Sequence, residues 1–166
     1  MTFDSFKSTW NGKTLDYDGY YGGQCVDLYR QYCKDVLAVP QSPAVGGAKD
    51  IWNTYLPQYF DRIPNSPNGI PQKGDIMIWG INYGPYGHVG VVDSATLYSF
   101  YSFDQNDPLG TKCHIQYHTY RGVLGWLRVR NLSLSPQQKE QKIRDIFGQN
   151  ITSEERLRLS DIVIHS

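Results

Sequence analysis

Apolar residues recur at helical spacing in the first part of the chain. From Cys25 onward they return every three to four positions, which predicts a helix over Cys25–Val36 that ends before Pro40. A second, shorter helix is predicted over Ala48–Leu56, while the frequent Pro, Asn and Gly residues of 57–73 favour a loop. The first 73 residues are therefore predicted to hold two helices and a long connection.

Beyond Gly74 the pattern changes to short segments rich in β-branched and aromatic residues, separated by turn residues. No helix separates these segments, so we expect them to pair antiparallel. The sequence therefore predicts an α+β domain, with helices packed on a curved antiparallel sheet of five to six strands. The predicted strands are Asp75–Trp79, His88–Asp93, Leu97–Phe103, Lys112–Tyr120 and Val123–Arg130.

The composition shifts again after Asn131. Ser135-Pro136 is typical of a helix start, and Thr152 opens a segment with capping-box spacing. We therefore expect a main domain over 1–131 and a helical tail over 132–166. The sequence leaves open whether that tail packs on the domain, binds a partner or acts at a membrane surface.

Composition narrows the class of protein. The 16 Lys and Arg residues balance the 16 Asp and Glu residues without forming a basic stripe, which argues against nucleic-acid binding. No apolar run approaches the roughly 20 residues that span a bilayer, and the N-terminus lacks the layout of a signal peptide. Three cysteines, an odd number, do not form a disulfide framework. We expect a monomeric globular protein made in the cytosol.

Three separated positions carry a possible thiol chemistry. Cys25 begins the predicted helix, where the positive end of the dipole favours the nucleophilic thiolate. His88 opens a predicted strand in which Gly90 leaves room beside the imidazole. Asp104 and Asn106 end the next strand with the same parity, so either could orient that histidine. Each residue alone has a structural explanation, but together they are typical of a papain-like thiol enzyme.

The other histidines and cysteines have simpler explanations. His114, His118 and His165 are interpreted as ordinary polar residues. Cys33 and Cys113 are interpreted as structural, because neither has partners at zinc-ligand spacing.

A group of carboxylates lies just before the candidate nucleophile. Asp16 and Asp18 alternate around the turn at Gly19, and Asp27 follows two residues after Cys25. Such alternation suits a hard cation that prefers oxygen ligands, but a solvated polar turn explains it as well.

Four sequence blocks resemble the CHAP domain, the cysteine, histidine-dependent amidohydrolase/peptidase of phage lysins and cell-wall hydrolases. The resemblance covers about 1–131, and its blocks are 22–27, 74–79, 87–92 and 103–106. It implies a papain-like fold that acts on bacterial peptidoglycan.

The resemblance also implies roles for individual residues. Cys25 matches the nucleophile, His88 the general base and Asn106 the accompanying amide. Asp104 matches the acidic position, where many relatives have Glu. Gln24, with the backbone N–H of Cys25, is a candidate donor to the oxyanion.

Calcium-binding CHAP endolysins resemble the carboxylate segment. This likeness implies one structural Ca²⁺ that ties the loop to the catalytic helix. Its ligands would be the side chains of Asp16, Asp18 and Asp27 and the backbone carbonyls of Tyr20 and Gly22.

The expected function is a peptidoglycan hydrolase that cuts an amide bond in the peptide part of the wall, as an amidase or an endopeptidase. Tyr83 and Tyr86 flank His88 and are candidates for the substrate groove. We expect a phage lysin made in the host cytoplasm and released to the wall or periplasm, or else a virion-associated lytic protein. The alternatives are a non-catalytic wall-binding or virion module and a cysteine peptidase that acts on protein.

Overall fold

The computed structural model describes residues 1–130, in which three short helices pack against one sheet. The predicted tail of 132–166 lies outside the described residues. A π-helical turn at Cys33–Leu37 continues the second helix, and a 3₁₀ turn at Ala48–Asp50 precedes the third. The helices are α1 (Phe3–Trp10), α2 (Cys25–Tyr32) and α3 (Ile51–Thr54).

Within residues 1–130, six strands form a single antiparallel sheet in the order β1-β6-β2-β3-β4-β5. This arrangement confirms the predicted α+β class, with every strand pair antiparallel. The strands are β1 (Phe60–Pro64), β2 (Ile76–Trp79), β3 (His88–Ala95), β4 (Ser99–Asp104), β5 (His114–Thr119) and β6 (Val123–Val129).

The prediction of a loop over 57–73 is wrong for β1. In the described part of the chain this strand lies at the edge of the sheet and pairs with β6, from Phe60 opposite Val129 to Pro64 opposite Gly125. An edge strand tolerates proline because one side of its backbone needs no partner. The proline and asparagine residues of this segment therefore obscure a strand whose pairing partner lies at residues 125–129.

Helix α1 was not predicted from the pattern, yet it carries part of the core. The Thr2 side chain accepts a hydrogen bond from the Ser5 backbone N–H at 3.2 Å and caps the helix. Phe3 and Phe6 are buried against Tyr32 of α2, with ring centroids 5.4 and 5.6 Å from it. Eight residues with two apolar anchors are too short for the periodicity to be distinctive.

The sheet places the candidate nucleophile and base near each other. Strand β2 is buried along its whole length because it lies between β6 and β3. Helix α2 packs on β3, and both elements begin with a candidate catalytic residue, Cys25 and His88.

We predict that Phe6→Ala lowers the free energy of unfolding by roughly 3–5 kcal/mol, since the cavity between Tyr32 and Phe103 cannot refill. Urea unfolding of the full chain measures the change. Tyr98→Ala is the control, because its 80% exposed ring contributes little to the core. Equal effects of the two substitutions would contradict the position assigned to α1.

Candidate active site

Cys25 is the first residue of α2 and is partly exposed. The preceding residue, Gln24, is extended, and its backbone N–H donates to Asp27 Oδ2 at 2.7 Å, which closes the first turn. Backbone N–H groups in a first helical turn have no partner within the helix and form the positive end of its dipole. The sulfur therefore lies where negative charge is stabilised.

His88 is buried at the start of β3 and is held between aromatic rings. Trp79, its partner across the β2–β3 pair, has a ring centroid 5.0 Å from the imidazole. Tyr83 stacks on the imidazole at 5.9 Å with an interplanar angle of 26°. These contacts restrict the ring to one orientation.

The surroundings of the imidazole favour its charged form. Burial by itself lowers the pKa of His88, but the neighbouring Asp104 carboxylate and Cys25 sulfur outweigh this effect and raise it to about 10. A protonated imidazole beside a cysteine stabilises the thiolate. Cys25 and His88 are thus placed to form a thiolate–imidazolium pair.

Asp104 is the candidate orienting residue that faces the histidine. Its Oδ2 lies 3.5 Å from His88 Nε2, and Oδ2 of Asp107 lies 3.8 Å from the same nitrogen. Because Nε2 is turned to the carboxylates, Nδ1 is the nitrogen left for Cys25. Burial raises the pKa of Asp104, yet the hydrogen bond with His118 and the neighbouring His88 outweigh this effect and lower it to about 2.

The Asn106 side chain bonds to Gln24, in the loop that precedes Cys25, and not to His88. Its Nδ2 donates to Gln24 Oε1 at 2.8 Å, and its Oδ1 accepts from the Gly110 N–H at 2.6 Å. Gln24 Nε2 in turn donates to the Tyr21 carbonyl at 2.9 Å. The alternative in which Asn106 orients His88 is therefore wrong in this structure, and Asn106 instead restrains the predicted oxyanion residue.

Gly90 makes room for a carboxylate. A Cβ atom at this position would overlap Oδ1 of Asp104. The strand pattern predicts this space beside the imidazole of His88, whereas in the structure the Asp104 carboxylate fills it. Only glycine at residue 90 allows Asp104 to lie against β3.

Gln105 is a buried bridge that the sequence analysis missed. Its Nε2 donates to the carbonyls of Leu15 and Gln24 at 2.7 and 2.9 Å. Its Oε1 accepts from the Leu15 N–H at 2.6 Å and from Cys113 Sγ at 3.0 Å. The side chain thus joins β4 to the backbone just before Cys25. One sequence signal for this role was its position, because Gln105 lies between the candidate catalytic residues Asp104 and Asn106.

His118 is the second residue that was missed. It is buried, and its Nε2 lies 2.5 Å from Asp104 Oδ2. The interpretation of His118 as an ordinary polar residue is wrong. His114, on the same strand, contacts the Lys112 carbonyl and Gln116 Oε1 as expected of a polar strand residue. The prediction for His165 lies outside the described residues.

Three carboxylates converge in front of α2. Oxygens of Asp16, Asp18 and Asp27 all lie within 4.8 Å of one another. Asp27 is buried, and burial, followed by the charges of Asp18 and Asp16, raises its pKa. The nearby cation is Arg30, whose Nη1 lies 3.0 Å from Asp18 Oδ2. Three hard oxygen donors so close together fit Ca²⁺.

The loop that carries these carboxylates turns sharply. Gly19, Tyr21 and Gly22 have φ angles of 76°, 65° and 65°, in the left-handed region. Tyr20 and Gly22, whose carbonyls are the predicted backbone ligands, lie in this turn between Asp18 and Asp27.

The two predicted groove tyrosines differ in their surroundings. The Tyr83 hydroxyl donates to Asp107 Oδ2 at 2.5 Å, and its ring covers His88. Tyr86 is 66% exposed, and Lys49 Nζ lies 5.9 Å from its ring centroid. Tyr83 therefore belongs to the wall of the site, whereas Tyr86 offers a free face.

Among residues 1–130, no helix is long and apolar enough to cross a bilayer.

The chain is similar in sequence to phage lysins. Residues 15–106 match the family described as the CHAP domain. The D-alanyl-L-alanine endopeptidase of Streptococcus phage B30 is 37% identical over 101 residues, which cover 56% of this chain and 21% of that protein. Endolysin PlyTW of Staphylococcus phage Twort is 33% identical over 84 residues, which cover 50% and 18%.

A solved structure is also similar. The crystal structure of the wild-type endolysin LysIME-EF1 matches with a TM-score of 0.62 and 31% identity, covering 77% of this chain and 64% of that one. The chain spans about a fifth of the length of the two curated relatives described above.

We predict that Gly90→Ala slows alkylation of Cys25 by iodoacetamide at pH 7 by about tenfold or more. The added methyl group displaces Asp104 and weakens the charged partner of the thiolate, and one pKa unit corresponds to a factor of ten. Mass spectrometry of the labelled peptide measures the rate. Cys33 and Cys113 stay unlabelled because burial raises the pKa of their thiols, to about 12 and about 11.

Gly46→Ala is the matched control for this substitution. A Cβ there meets one Asp50 oxygen at 3.4 Å, which is an ordinary contact. Equal alkylation rates for the two variants would refute the role of Gly90.

Proposed function

The chain belongs to the CHAP domain family, and from this membership we propose that it is a peptidoglycan hydrolase that cleaves an amide bond in the peptide part of the wall. The observation that carries the proposal is the buried imidazole of His88, set between Asp104 and a cysteine at a helix N-terminus. The related proteins named endolysins and endopeptidase support the same class of substrate.

The first half of the reaction acylates the enzyme. The Cys25 thiolate attacks the amide carbonyl carbon, and the carbonyl electron pair moves to the oxygen. When the tetrahedral intermediate collapses, the C–N bond breaks and the His88 imidazolium gives its proton to the leaving amine. A thioester on Cys25 and a neutral His88 remain.

The second half releases the acid. Neutral His88 takes a proton from water as the water oxygen attacks the thioester carbon. The C–S bond then breaks, and the sulfur leaves as a thiolate beside the protonated imidazole. Asp104 stays ionised through both steps, since its pKa of about 2 lies far below that of His88.

The backbone N–H of Cys25 is the simplest donor to the oxyanion, because it belongs to the first turn of α2. The Gln24 side chain is already bonded to the Tyr21 carbonyl and to Asn106. We therefore propose that Gln24 and Asn106 shape the oxyanion site by restraining the loop, with the second Gln24 N–H free to contribute.

An exposed aromatic ring and the name of a relative bear on the substrate. The exposed Tyr86 ring, beside Tyr83, would pack against the glycan-linked peptide. The endopeptidase name of one relative favours cleavage within the peptide, and amidase cleavage also fits the same thiol chemistry.

We propose a monomeric lysin that is made in the host cytoplasm and reaches the wall, or one carried by the virion.

We also propose that Asp16, Asp18 and Asp27, with the carbonyls of Tyr20 and Gly22, hold one structural Ca²⁺. The support is the convergence of three carboxylates around a partly desolvated position. When bound, the ion would neutralise their mutual repulsion and stiffen the loop that leads to Cys25.

We predict that the wild-type protein clears suspensions of purified peptidoglycan and that Cys25→Ala abolishes clearing, because no other exposed thiol replaces the nucleophile. Turbidity measures the rate, and mass spectrometry of released fragments identifies the bond. Wild type alkylated at Cys25 serves as a matched control of unchanged sequence. Clearing by Cys25→Ala would overturn the proposal, as would cleavage of casein without cleavage of the wall. If wild type and Cys25→Ala bind peptidoglycan equally and neither clears it, the protein is a binding module.

We predict that Ca²⁺ raises the thermal midpoint of the wild type after EDTA treatment by about 5 °C or more, since 100-fold excess over Kd stabilises by about 2.7 kcal/mol. Asp27→Asn removes the response. In EDTA at pH 7 this variant should unfold no earlier than wild type, because a carboxyl with raised pKa destabilises the fold once ionised.

Asp61→Asn is the control for the calcium measurement, because Asp61 pairs with Arg130 on the exposed surface. It should keep the full shift. A wild-type midpoint that does not respond to Ca²⁺ would exclude the ion and leave the thiol mechanism intact.

A further inference from the structure

The carboxylate of Asp104 is enclosed between two imidazoles. Its side chain has no exposed surface, and one oxygen, Oδ2, lies 2.5 Å from His118 Nε2 and 3.5 Å from His88 Nε2. The shorter of the two contacts is the one to His118, which the thiol mechanism does not use. The hydrogen bond that fixes this carboxylate thus comes from outside the catalytic pair.

The second oxygen of Asp104 cannot hold the group in place. Oδ1 is buried and has no hydrogen-bond partner among the described residues. It lies against the backbone of Gly90, in the space that a Cβ atom would fill. The orientation of the carboxylate therefore depends on what Oδ2 contacts.

His118 is itself held rigidly. Its ring stacks on Phe100, the residue opposite it in the β4–β5 pair, with centroids 5.5 Å apart and an interplanar angle of 27°. Trp79 lies 4.9 Å from His118 and 5.0 Å from His88, so one indole supports both imidazoles. A donor fixed in this way defines one position for its acceptor.

We propose that His118 is a positioning residue, whose Nε2–H holds Asp104 Oδ2 as an ionised acceptor opposite His88. The proposal rests on the thiol chemistry proposed above. It extends the site to a chain of four groups, from Cys25 through His88 and Asp104 to His118.

The proton balance of this chain is simple. A single proton moves from the Cys25 thiol to His88 when the ion pair forms, while Asp104 remains a carboxylate and His118 keeps its Nε2 proton. Hydrogen bonding to the ionised form of a buried carboxyl favours that form, which opposes the effect of burial on Asp104. Removing the donor therefore makes Asp104 easier to protonate.

The titratable groups around His118 come from three directions. Asp104 projects from β4 and His88 from β3. Tyr83, whose ring centroid is 6.3 Å away, and its acceptor Asp107 come from the loops. Asp107 also accepts from Gln116 Nε2 of β5 at 3.3 Å, so it has partners of its own.

The test compares His118→Phe with His118→Gln. Phenylalanine keeps the ring between Phe100 and Trp79 but has no donor, whereas glutamine can place an N–H near the position of Nε2. The readout is the rate of Cys25 alkylation by iodoacetamide between pH 4 and 9, which needs no wall substrate. Wall clearing is measured in parallel for kcat and KM.

We expect His118→Phe to move the acid limb of the alkylation profile up by about one pH unit, with a roughly tenfold slower rate near pH 5. The value of kcat should fall about tenfold or more while KM changes less than about twofold, since substrate contacts are untouched. His118→Gln should restore most of the wild-type profile. His114→Phe, on the same strand, should leave it unchanged.

An unmoved acid limb in folded His118→Phe would overturn the proposal. Equal losses in the phenylalanine and glutamine variants would also overturn it, because the N–H would then be irrelevant. If the phenylalanine variant does not fold, a wild-type profile in His118→Gln and a shifted one in His118→Met decide the question. Failure of the wild type to clear any wall would refute the proposed function without affecting the alkylation result.

Discussion

A carboxylate with no contact to water needs cationic or hydrogen-bonding partners, and the centre of this domain is arranged around that requirement for Asp104. His88 and His118 supply the partners, and Gly90 supplies the space. The charge of Asp104 also favours the protonated form of His88 beside Cys25. The contacts that make burial of this carboxylate possible are therefore the same ones that would activate the sulfur in the proposed mechanism.

The loop that leads to Cys25 is held by a separate network of hydrogen bonds. Gln105 joins the end of β4 to the backbone carbonyl before Cys25, and Asp27 closes the first turn of α2. Asn106 adds a contact to the Gln24 side chain. Three consecutive residues, 104–106, thus reach the imidazole, the loop backbone and the loop side chain respectively. The end of β4 therefore supplies contacts both to the histidine and to the loop before Cys25.

The aromatic residues around the histidines have a positional role. Trp79 lies about 5 Å from both imidazoles, and Tyr83 and Phe100 cover their other sides. Rings of this kind exclude water and strengthen the charged contacts inside. Tyr83 is the tyrosine in this packing, while Tyr20, Tyr21 and Tyr86 are exposed.

Much of this domain was predictable from the sequence because the signals are local. Periodicity identified α2 and five of the six strands, and block spacing identified the family through Cys25, His88 and Asp104. The edge strand β1 escaped because its pairing partner is distant in the chain.

The choice between Asp104 and Asn106, and the role of His118, were decided only in three dimensions. In the strand register, Asp104 lies opposite His114, yet its carboxylate bonds His118, four residues further along β5. Alternation places side chains on a face, but it does not say how far a long side chain reaches across that face. The sequence by itself therefore determined the family and predicted Cys25 as the nucleophile, while tertiary packing determined which buried group holds which, since that depends on distances between segments that no local pattern encodes.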